Sequence, residues 1–466
     1  MLPIFGREVG AKMKRNKLRL WLKKHPLKLS STQIIALVFA SIILCGTLLL
    51  MLPAASQNGE SCSFEDALFT ATSATCVTGL VPFDTGSSWT TFGHIVILVM
   101  IEVGGLGFMS LASMVVLLLR RKVGLKQRML MAQALSLNEM DSVVKLQKWV
   151  LFGSLSVQAA AALVLFLRFI PMFGAGKAAW YGVFHSVSAF CNAGFDIFGY
   201  GDSLMHFNTD PVVCITLMVL VAVGGLGFFV WEEVVRVHSW KKFSVYTKLV
   251  LLASLILTLV GAAAFCLLEW NNPQTMGGMS VGDKILCGFF QSVTVRTAGF
   301  DAIGQGVLTD GSKGVSMILM LIGGSSGSTA GGVKTVTMVV LVLFLWARAR
   351  GRSTVTVFKR TIAGEKALDA MTIVGLVVAL AVAGAVVICA TSPISFTDSL
   401  YEAVSALATV GLTTGVTGLL SLPAQLLITV FMYFGRVGIL TISLGFLMGN
   451  RAEERFQYAQ TNLLIG

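Results

Sequence analysis

Four stretches of the chain share one spacing, in which an aromatic residue precedes a glycine by ten positions. The pairs are Phe69 and Gly79, Phe184 and Gly194, Phe289 and Gly299, and Tyr401 and Gly411. Glycine lacks a side chain and tolerates positive φ, so the carbonyl groups beside it can turn towards a common point. A ring of carbonyl oxygens can replace the water shell of a cation. The spacing therefore favours a cation site made of backbone.

A hydroxyl residue accompanies each glycine. Ser73, Ser188 and Ser405 lie six positions before it, whereas Thr294 lies five before it in the third copy. Each apolar stretch is about a dozen residues, which is too short to cross a bilayer and is typical of a re-entrant half-helix. The alternative is four ordinary loops with chance glycines, and the shared spacing disfavours it.

The composition indicates what surrounds these half-helices. Of the 466 residues, 55% are hydrophobic and 12% are charged, against about 25% charged in soluble domains. This predicts an all-α polytopic membrane protein in contact with the lipid bilayer. The net charge of +12 does not indicate nucleic-acid binding, because the basic residues are scattered over several loops.

The basic residues indicate the orientation in the membrane. Five segments hold 28 of the 35 lysines and arginines: 1–32, 120–148, 232–248, 348–366 and 451–455. Basic residues accumulate in cytoplasmic loops. We therefore expect a cell-membrane protein with both termini in the cytoplasm.

Five inner segments enclose four units that each cross the membrane and return, which predicts eight transmembrane helices. Their approximate ranges are 33–54 and 88–119, 145–170 and 210–237, 245–268 and 315–349, and 367–390 and 424–448. The predicted organisation is a basic segment 1–32, repeats 33–119, 145–237, 245–350 and 367–449, and a cytoplasmic tail 450–466. The four membrane–pore–membrane repeats would surround one pore with pseudo-fourfold symmetry.

The third return helix contains a run of small residues that predicts a break near mid-membrane. The run is Gly323, Gly324, Ser325, Ser326, Gly327, Ser328, Thr329, Ala330, Gly331 and Gly332. Glycine costs about 1 kcal/mol per position in a helix, so this stretch would form a movable insert that obstructs the pore. The GGLGF runs in the first two return helices are equally consistent with close helix packing.

Three ionisable residues interrupt the apolar return helices: Glu102, Lys334 and Arg436. Such residues are costly in a membrane and are functional candidates by default. Arg436 would project below the cation site, and Lys334 would repel cations beside the insert. Two alternatives stay open, because Glu102 could neutralise either cation and Lys334 could snorkel towards the inner surface.

The sequence resembles the Trk/Ktr/HKT superfamily of cation transporters over nearly its whole length. The resemblance is carried by CVTGL, CNAGF, RTAGF and TVGLTTG, by GGSSGSTAGGVKT, and by GRVG. The chain is most similar to the bacterial KtrB-type membrane subunit, since it has four repeats without an additional N-terminal helix pair, unlike the longer TrkH-type.

The resemblance implies potassium uptake through a selectivity filter, without a cofactor in this chain. The filter residues would be Val77, Thr78 and Gly79; Asn192, Ala193 and Gly194; Thr297, Ala298 and Gly299; and Thr409, Val410 and Gly411. Residues 323–332 with Lys334 and Arg436 would form the gate. The resemblance also implies a homodimer and a cytosolic ring of RCK subunits, which alone would bind nucleotide. Glycine at position 79 favours K⁺ over Na⁺.

The same sequence features also bear on other classes of function. A sodium-conducting or sodium-coupled transporter, or a symporter, stays open because the four filter segments differ in sequence. A secondary transporter of an organic solute is disfavoured because the predicted repeats are parallel, not inverted. An enzyme is not expected, since the five histidines form no HExxH motif or close pair.

Overall fold

The described part of the chain consists almost entirely of helices. The structure is a computed structural model that describes residues 31–107, 143–352 and 354–438. One antiparallel hairpin, formed by Val355–Val357 and Arg360–Ile362, interrupts the helices within these ranges. The fold class was predicted as all-α, so this short hairpin is a minor correction.

The helices are numbered in chain order. In the first half they are α1 (Ser31–Leu50), α2 (Phe64–Cys76), α3 (Thr85–Ser88), α4 (Thr91–Leu106), α5 (Val143–Cys191), α6 (Pro211–Leu226) and α7 (Phe228–Val237). In the second half they are α8 (Val245–Glu269), α9 (Val281–Thr294), α10 (Asp310–Leu321), α11 (Thr335–Ala349), α12 (Gly364–Thr391), α13 (Phe396–Ala408) and α14 (Leu422–Val437). Short 3₁₀ turns lie at Met205–Phe207, Trp240–Lys242, Gln305–Val307 and Thr417–Leu419.

Four helices in the described residues are long and apolar enough to cross a membrane: α1, α5, α8 and α12. The pair α6 and α7 makes a fifth if it is counted as one span, although it bends by 94°. Large apolar side chains such as Leu267, which is 82% exposed, cover the outside of these helices. An apolar surface of this kind is suited to lipid, and the chain is a multi-pass membrane protein.

The other apolar helices are shorter than a full crossing. Helices α4 and α14 have 16 residues each and α11 has 15, against about 20 for one span. By helix length, the described residues therefore hold four or five helices that could cross a membrane, and the eight crossings stay a prediction. The return helices either are interrupted, between α6 and α7 and between α10 and α11, or run up to residues outside the described part of the chain.

Each return helix ends at the position of its glycine run. Helices α4, α6 and α14 are followed by Gly107, Gly227 and Gly438, with φ of 79°, 94° and 97°. Helix α10 ends at Leu321, directly before the predicted insert. Positive φ is open to glycine and ends a helix. The sequence predicted a break in the third repeat alone, and did not predict the bend within 210–237 at Gly227. The predicted continuations 108–119 and 439–448 lie outside the described residues.

The second outgoing crossing and its short helix form one long helix, α5. Gly174 interrupts it with φ 76° and ψ 162°. The crossing predicted at 145–170 lies before this kink, and the short helix that leads to Gly194 lies after it. A single non-helical glycine thus separates the crossing from the short helix.

Packing joins each unit to the next. Helix α4 packs on α5, α6 on α9, α10 on α13, and α14 returns to α2. Within the units, the short helices α2, α9 and α13 also pack on the crossings α1, α8 and α12. Because the last unit contacts the first, the short helices are enclosed on all sides.

The aromatic residues of the shared spacing lie in this enclosed core. Phe69, Phe184 and Tyr401 are each 0% exposed. In the third copy Phe289 is only partly buried, and the adjacent Phe290 is 3% exposed. The third copy is therefore the irregular one in packing as well as in the spacing of its hydroxyl.

We predict that Gly104→Ala destabilises the protein, because an added methyl group would overlap the carbonyl oxygen of Thr75 in α2. Overpacking of this kind costs about 1–3 kcal/mol. Gly375→Ala in α12 is the matched control, since its methyl group would meet nothing within 4 Å. Thermal unfolding in detergent should show a lower midpoint for Gly104→Ala only. Equal midpoints in both variants would contradict the observed packing of α4 on α2.

Candidate ion pathway

The four segments predicted to form a filter, residues 77–79, 192–194, 297–299 and 409–411, have the same backbone shape, and they are called the filter segments below. The first residue of each is left-handed: Val77 has φ 57°, Asn192 60°, Thr297 69° and Thr409 51°. The third residue is the glycine, with φ of 100° at Gly79, 68° at Gly194, 84° at Gly299 and 93° at Gly411. A non-glycine residue in this region costs about 1–3 kcal/mol and persists only where its surroundings hold it.

The hydroxyl before each glycine helps to hold this shape. Ser73 Oγ accepts a hydrogen bond from Gly79 N at 3.0 Å, and Ser405 Oγ accepts from Gly411 N at 3.1 Å. In the other two segments the hydroxyl donates instead to the carbonyl that follows the glycine. Ser188 Oγ donates to Phe195 O at 2.8 Å, and Thr294 Oγ1 donates to Phe300 O at 2.7 Å. The one-residue shift of Thr294 therefore preserves the function of the hydroxyl.

The four glycines meet backbone to backbone. A Cβ placed on Gly79 would lie 2.5 Å from Ala193 O, and one placed on Gly194 would lie 2.7 Å from Ala298 O. Likewise, a Cβ on Gly299 would meet Val410 O, and a Cβ on Gly411 would meet Thr78 O. Each glycine thus touches the next segment in chain order, and the fourth touches the first. The carbonyl groups before the glycines stand around one narrow centre.

Several buried hydroxyls in or next to the filter segments have no hydrogen-bond partner within the described residues. The hydroxyl oxygens of Thr75, Thr78 and Thr409 are buried and form no hydrogen bond within the described residues. A buried hydroxyl without a partner is costly. These oxygens are therefore available to a cation or to water.

A cavity of about 510 Å³ opens on the glycine side of the filter segments. All four glycines line it, together with Asp84, Asp202 and Asp301. Asp196 follows the second filter segment, and burial together with repulsion from Asp84 raises its pKa to about 7. The negative charge near this cavity therefore increases as the pH rises through neutrality.

The loop 323–332, between α10 and α11, is not helical. Its neck is closed by a bridge between Ile322 and Val333 and by a hydrogen bond from Thr335 Oγ1 to Gly323 O at 2.7 Å. Further bonds hold the interior, including Ser328 Oγ to Ser325 O at 2.6 Å and Tyr246 Oη to Ser326 O at 3.1 Å. The small residues therefore fold into a defined loop.

The loop lies in the break of the second return helix. Ser325 N donates to Gly225 O at 3.0 Å, and Phe228 N donates to Gly327 O at 2.8 Å. On its other side, Gly331 lies against the side chain of Thr409 and Gly332 lies against Ala408. The loop is thus placed directly beside the filter segments. The GGLGF run of the second repeat forms the surface on which the loop docks, a role that its sequence did not predict.

Arg436 connects the loop to the first repeat. Its guanidinium donates to Thr329 O in the loop and to the carbonyl oxygens of Gly104 and Gly105 at the end of α4. Lys334 Nζ donates to Ala330 O at 2.9 Å, so the lysine turns back onto the loop instead of snorkelling away. Both cations therefore hold the loop through its carbonyl groups.

Glu102 has other partners than the sequence suggested. In the described part of the chain it forms no ion pair with Arg436 or Lys334. Its carboxyl accepts from Gln158 Nε2 at 3.1 Å and from Cys191 Sγ at 3.3 Å. Cys191 ends α5, so Glu102 connects the first return helix to the base of the second filter segment.

These observations define a helical membrane protein in which four short helices converge on one backbone-lined centre beside an intramembrane loop. The model of the TrkH family of cation transport proteins matches residues 14–455, and the chain belongs to that family. A family of transport proteins agrees with the expectation that the chain is not an enzyme.

Individual relatives cover nearly the whole chain. The potassium/sodium uptake protein NtpJ of Enterococcus hirae is 38% identical over 94% of this chain and 98% of its own length. The Ktr system potassium uptake protein B of Bacillus subtilis is 36% identical over 95% and 98%. These relatives confirm the resemblance to the KtrB-type subunit.

A solved structure has the same fold. The potassium transporter TrkH from Vibrio parahaemolyticus superposes with a TM-score of 0.69 at 20% identity, covering 90% of this chain and 86% of that one.

We predict that Gly411→Ala abolishes cation flux, because the methyl group would overlap Thr78 O at the centre. Gly415→Ala is a matched control: Gly415 also has positive φ, at 89°, but an added methyl group there meets nothing within 4 Å. Both variants should lose about 1–2 kcal/mol of stability from backbone strain. Flux into liposomes should persist in Gly415→Ala alone. Persistent flux in Gly411→Ala would argue against an ion path through the closed contact of the four glycine segments.

Proposed function

We propose that this chain takes up potassium ions across the cell membrane, through a filter built by its four glycine segments. The observation that carries the proposal is the closed contact of Gly79, Gly194, Gly299 and Gly411, each against the backbone of the next. Carbonyl oxygens at such a contact can substitute for the hydration shell of a cation. The relatives named as potassium uptake proteins support the same ion.

The ion would enter through the cavity on the glycine side. Carboxylates there raise the local concentration of cations. The ion would exchange water for the carbonyl oxygens of the four segments and for the hydroxyl of Thr78, which has no hydrogen-bond partner within the described residues. A membrane potential that is negative inside favours entry by about 2.3 kcal/mol per charge per 100 mV. Downhill uptake therefore needs no ATP site in this chain.

The loop 323–332 would be the gate. It lies against Thr409 beside the filter, where it would obstruct an ion that leaves the centre. Arg436 and Lys334 hold it there through loop carbonyls. Conduction would require the loop to move aside, and Arg436 would set how readily it does so.

The complete arrangement would have eight crossings in four repeats around one pore, with both termini in the cytoplasm. The contacts of α4, α6, α10 and α14 with the next unit support fourfold order. The basic residues support the orientation, since their loops would all be internal. The cavity with Asp84 and Asp301 would then face outward.

The chain would act as the membrane subunit of a larger system. The name of its Bacillus subtilis relative refers to a Ktr system, which supports a multi-component assembly. We propose two copies of this chain, each with its own pore, on a cytosolic ring of RCK-type subunits. Nucleotide would bind to that ring.

Sodium is the second candidate ion. The four filter segments begin with Val77, Asn192, Thr297 and Thr409, so the residue at this position differs from segment to segment. The name of the Enterococcus hirae relative includes both ions. A filter of unequal segments would discriminate modestly between K⁺ and Na⁺, either as a channel or as a sodium-coupled symporter.

Gly79→Ser should weaken the preference for K⁺, because the added side chain would press on Ala193 O and displace a coordinating carbonyl. Purified protein in liposomes should lose K⁺ uptake relative to Na⁺ uptake by about tenfold, the effect of roughly 1.4 kcal/mol. The control is Gly59→Ser, at a surface turn where nothing lies within 4 Å. An unchanged K⁺ to Na⁺ ratio in Gly79→Ser would exclude Gly79 from the filter.

Arg436→Ala should raise the K⁺ flux severalfold, because the loop would lose its bonds to the first repeat. Hydrogen bonds from a charged group contribute about 1.5–3 kcal/mol. Arg348→Ala is the control, since Arg348 lies in the last turn of α11 and stacks on Phe344 away from the loop. If both variants conduct like the parent protein, Arg436 does not restrain a gate.

A further inference from the structure

The side chain of Asn192 connects the filter to the loop. Its Nδ2 donates to Thr297 Oγ1 in the third filter segment at 3.3 Å, and its Oδ1 accepts from Thr329 Oγ1 in the loop at 3.2 Å. Asn192 is 2% exposed, and Thr297 and Thr329 are each 0% exposed. One buried amide therefore bridges two filter segments and the loop.

Thr329 is held from two directions. Its single hydroxyl proton is shared between Asn192 Oδ1 at 3.2 Å and Phe190 O at 3.1 Å, and its backbone N donates to Gly224 O at 3.2 Å. On the other side its carbonyl accepts from Arg436. Any displacement of the loop that releases Arg436 therefore also pulls on the bond between Thr329 and Asn192.

Asn192 differs from its counterparts in the other filter segments. Its φ of 60° is left-handed, a region that asparagine tolerates better than valine or threonine. The counterparts Val77, Thr297 and Thr409 have shorter side chains without an amide. A buried amide needs partners for both of its polar atoms. The link to the loop is thus a feature of the second segment.

We propose that Thr329 and Asn192 couple the position of the loop to the ion preference of the filter. With the loop engaged, Thr329 orients the amide of Asn192, and the amide in turn holds Thr297. When the loop moves aside, the amide loses its donor and the second and third segments lose their common brace. Both residues are positioning residues, and the inference rests on the proposed potassium uptake.

The test replaces Thr329 by valine, which has nearly the same shape without the hydroxyl. K⁺ and Na⁺ influx are measured separately in liposomes that contain the purified full-length chain. Thr329→Val should change the ratio of K⁺ to Na⁺ influx by about threefold to tenfold, as expected for the loss of one buried hydrogen bond. Thr329→Ser retains the hydroxyl and should keep the parent ratio.

Thr335→Val is the matched control. The Thr335 hydroxyl donates to Gly323 O, and its backbone N donates to Gly324 O, both at the start of the same loop. In the described part of the chain neither bond reaches a filter residue. This variant should alter the total flux without altering the ratio. An equal change of the ratio in Thr335→Val would overturn the coupling, because any loosening of the loop would then suffice.

A second pair of variants tests the same link from the filter side. Asn192→Ala should change the ratio in the same direction as Thr329→Val, and the double variant should show no more than the larger single effect, as for two residues that share one interaction. If Thr329→Val fails to fold, the ratio measured for Asn192→Ala still tests the inference. An unchanged ratio in Asn192→Ala, or additive effects, would overturn the inference. Absence of cation flux in the parent protein would instead overturn the proposed function.

Discussion

The close contact of four backbones at one point is the constraint on which the rest of the structure depends. A side chain at Gly79 or Gly194 would occupy the position of a neighbouring carbonyl group, so only glycine allows the segments to meet. Backbone groups buried in a membrane must be satisfied by protein or by an ion. The short helices, their buried aromatic residues and the hydroxyl braces together bring backbone carbonyl groups to this centre.

The second constraint follows from the first in the proposed pore, because a centre open on both sides would conduct without control. The chain places the loop 323–332 in the break of the second return helix and fastens it with Arg436. Both the break and the loop depend on glycine, which ends a helix where φ becomes positive. Glycine therefore forms the proposed filter, ends or interrupts the return helices and lines the loop.

The two regions are not mechanically independent. Asn192 and Glu102 both act near the end of α5, the former towards the loop and the latter towards Cys191. Polar contacts of this kind are strong inside a membrane-embedded core, where water does not compete for them. A change in the loop therefore has a direct route of hydrogen bonds to the second filter segment.

Features that depend on local spacing could be predicted from the amino-acid sequence alone. The ten-residue interval from aromatic to glycine, the run 323–332 and the low charge content predicted the short helices, the interrupted third return helix and the membrane environment. Tertiary structure decided the breaks at Gly107, Gly227 and Gly438, the receptor for the loop, and the partners of Glu102 and Asn192. Those depend on residues far apart in the chain, such as Asn192 and Thr329. Helix packing determines which of these distant residues come into contact. A local sequence pattern predicts only the structure of the element in which it occurs.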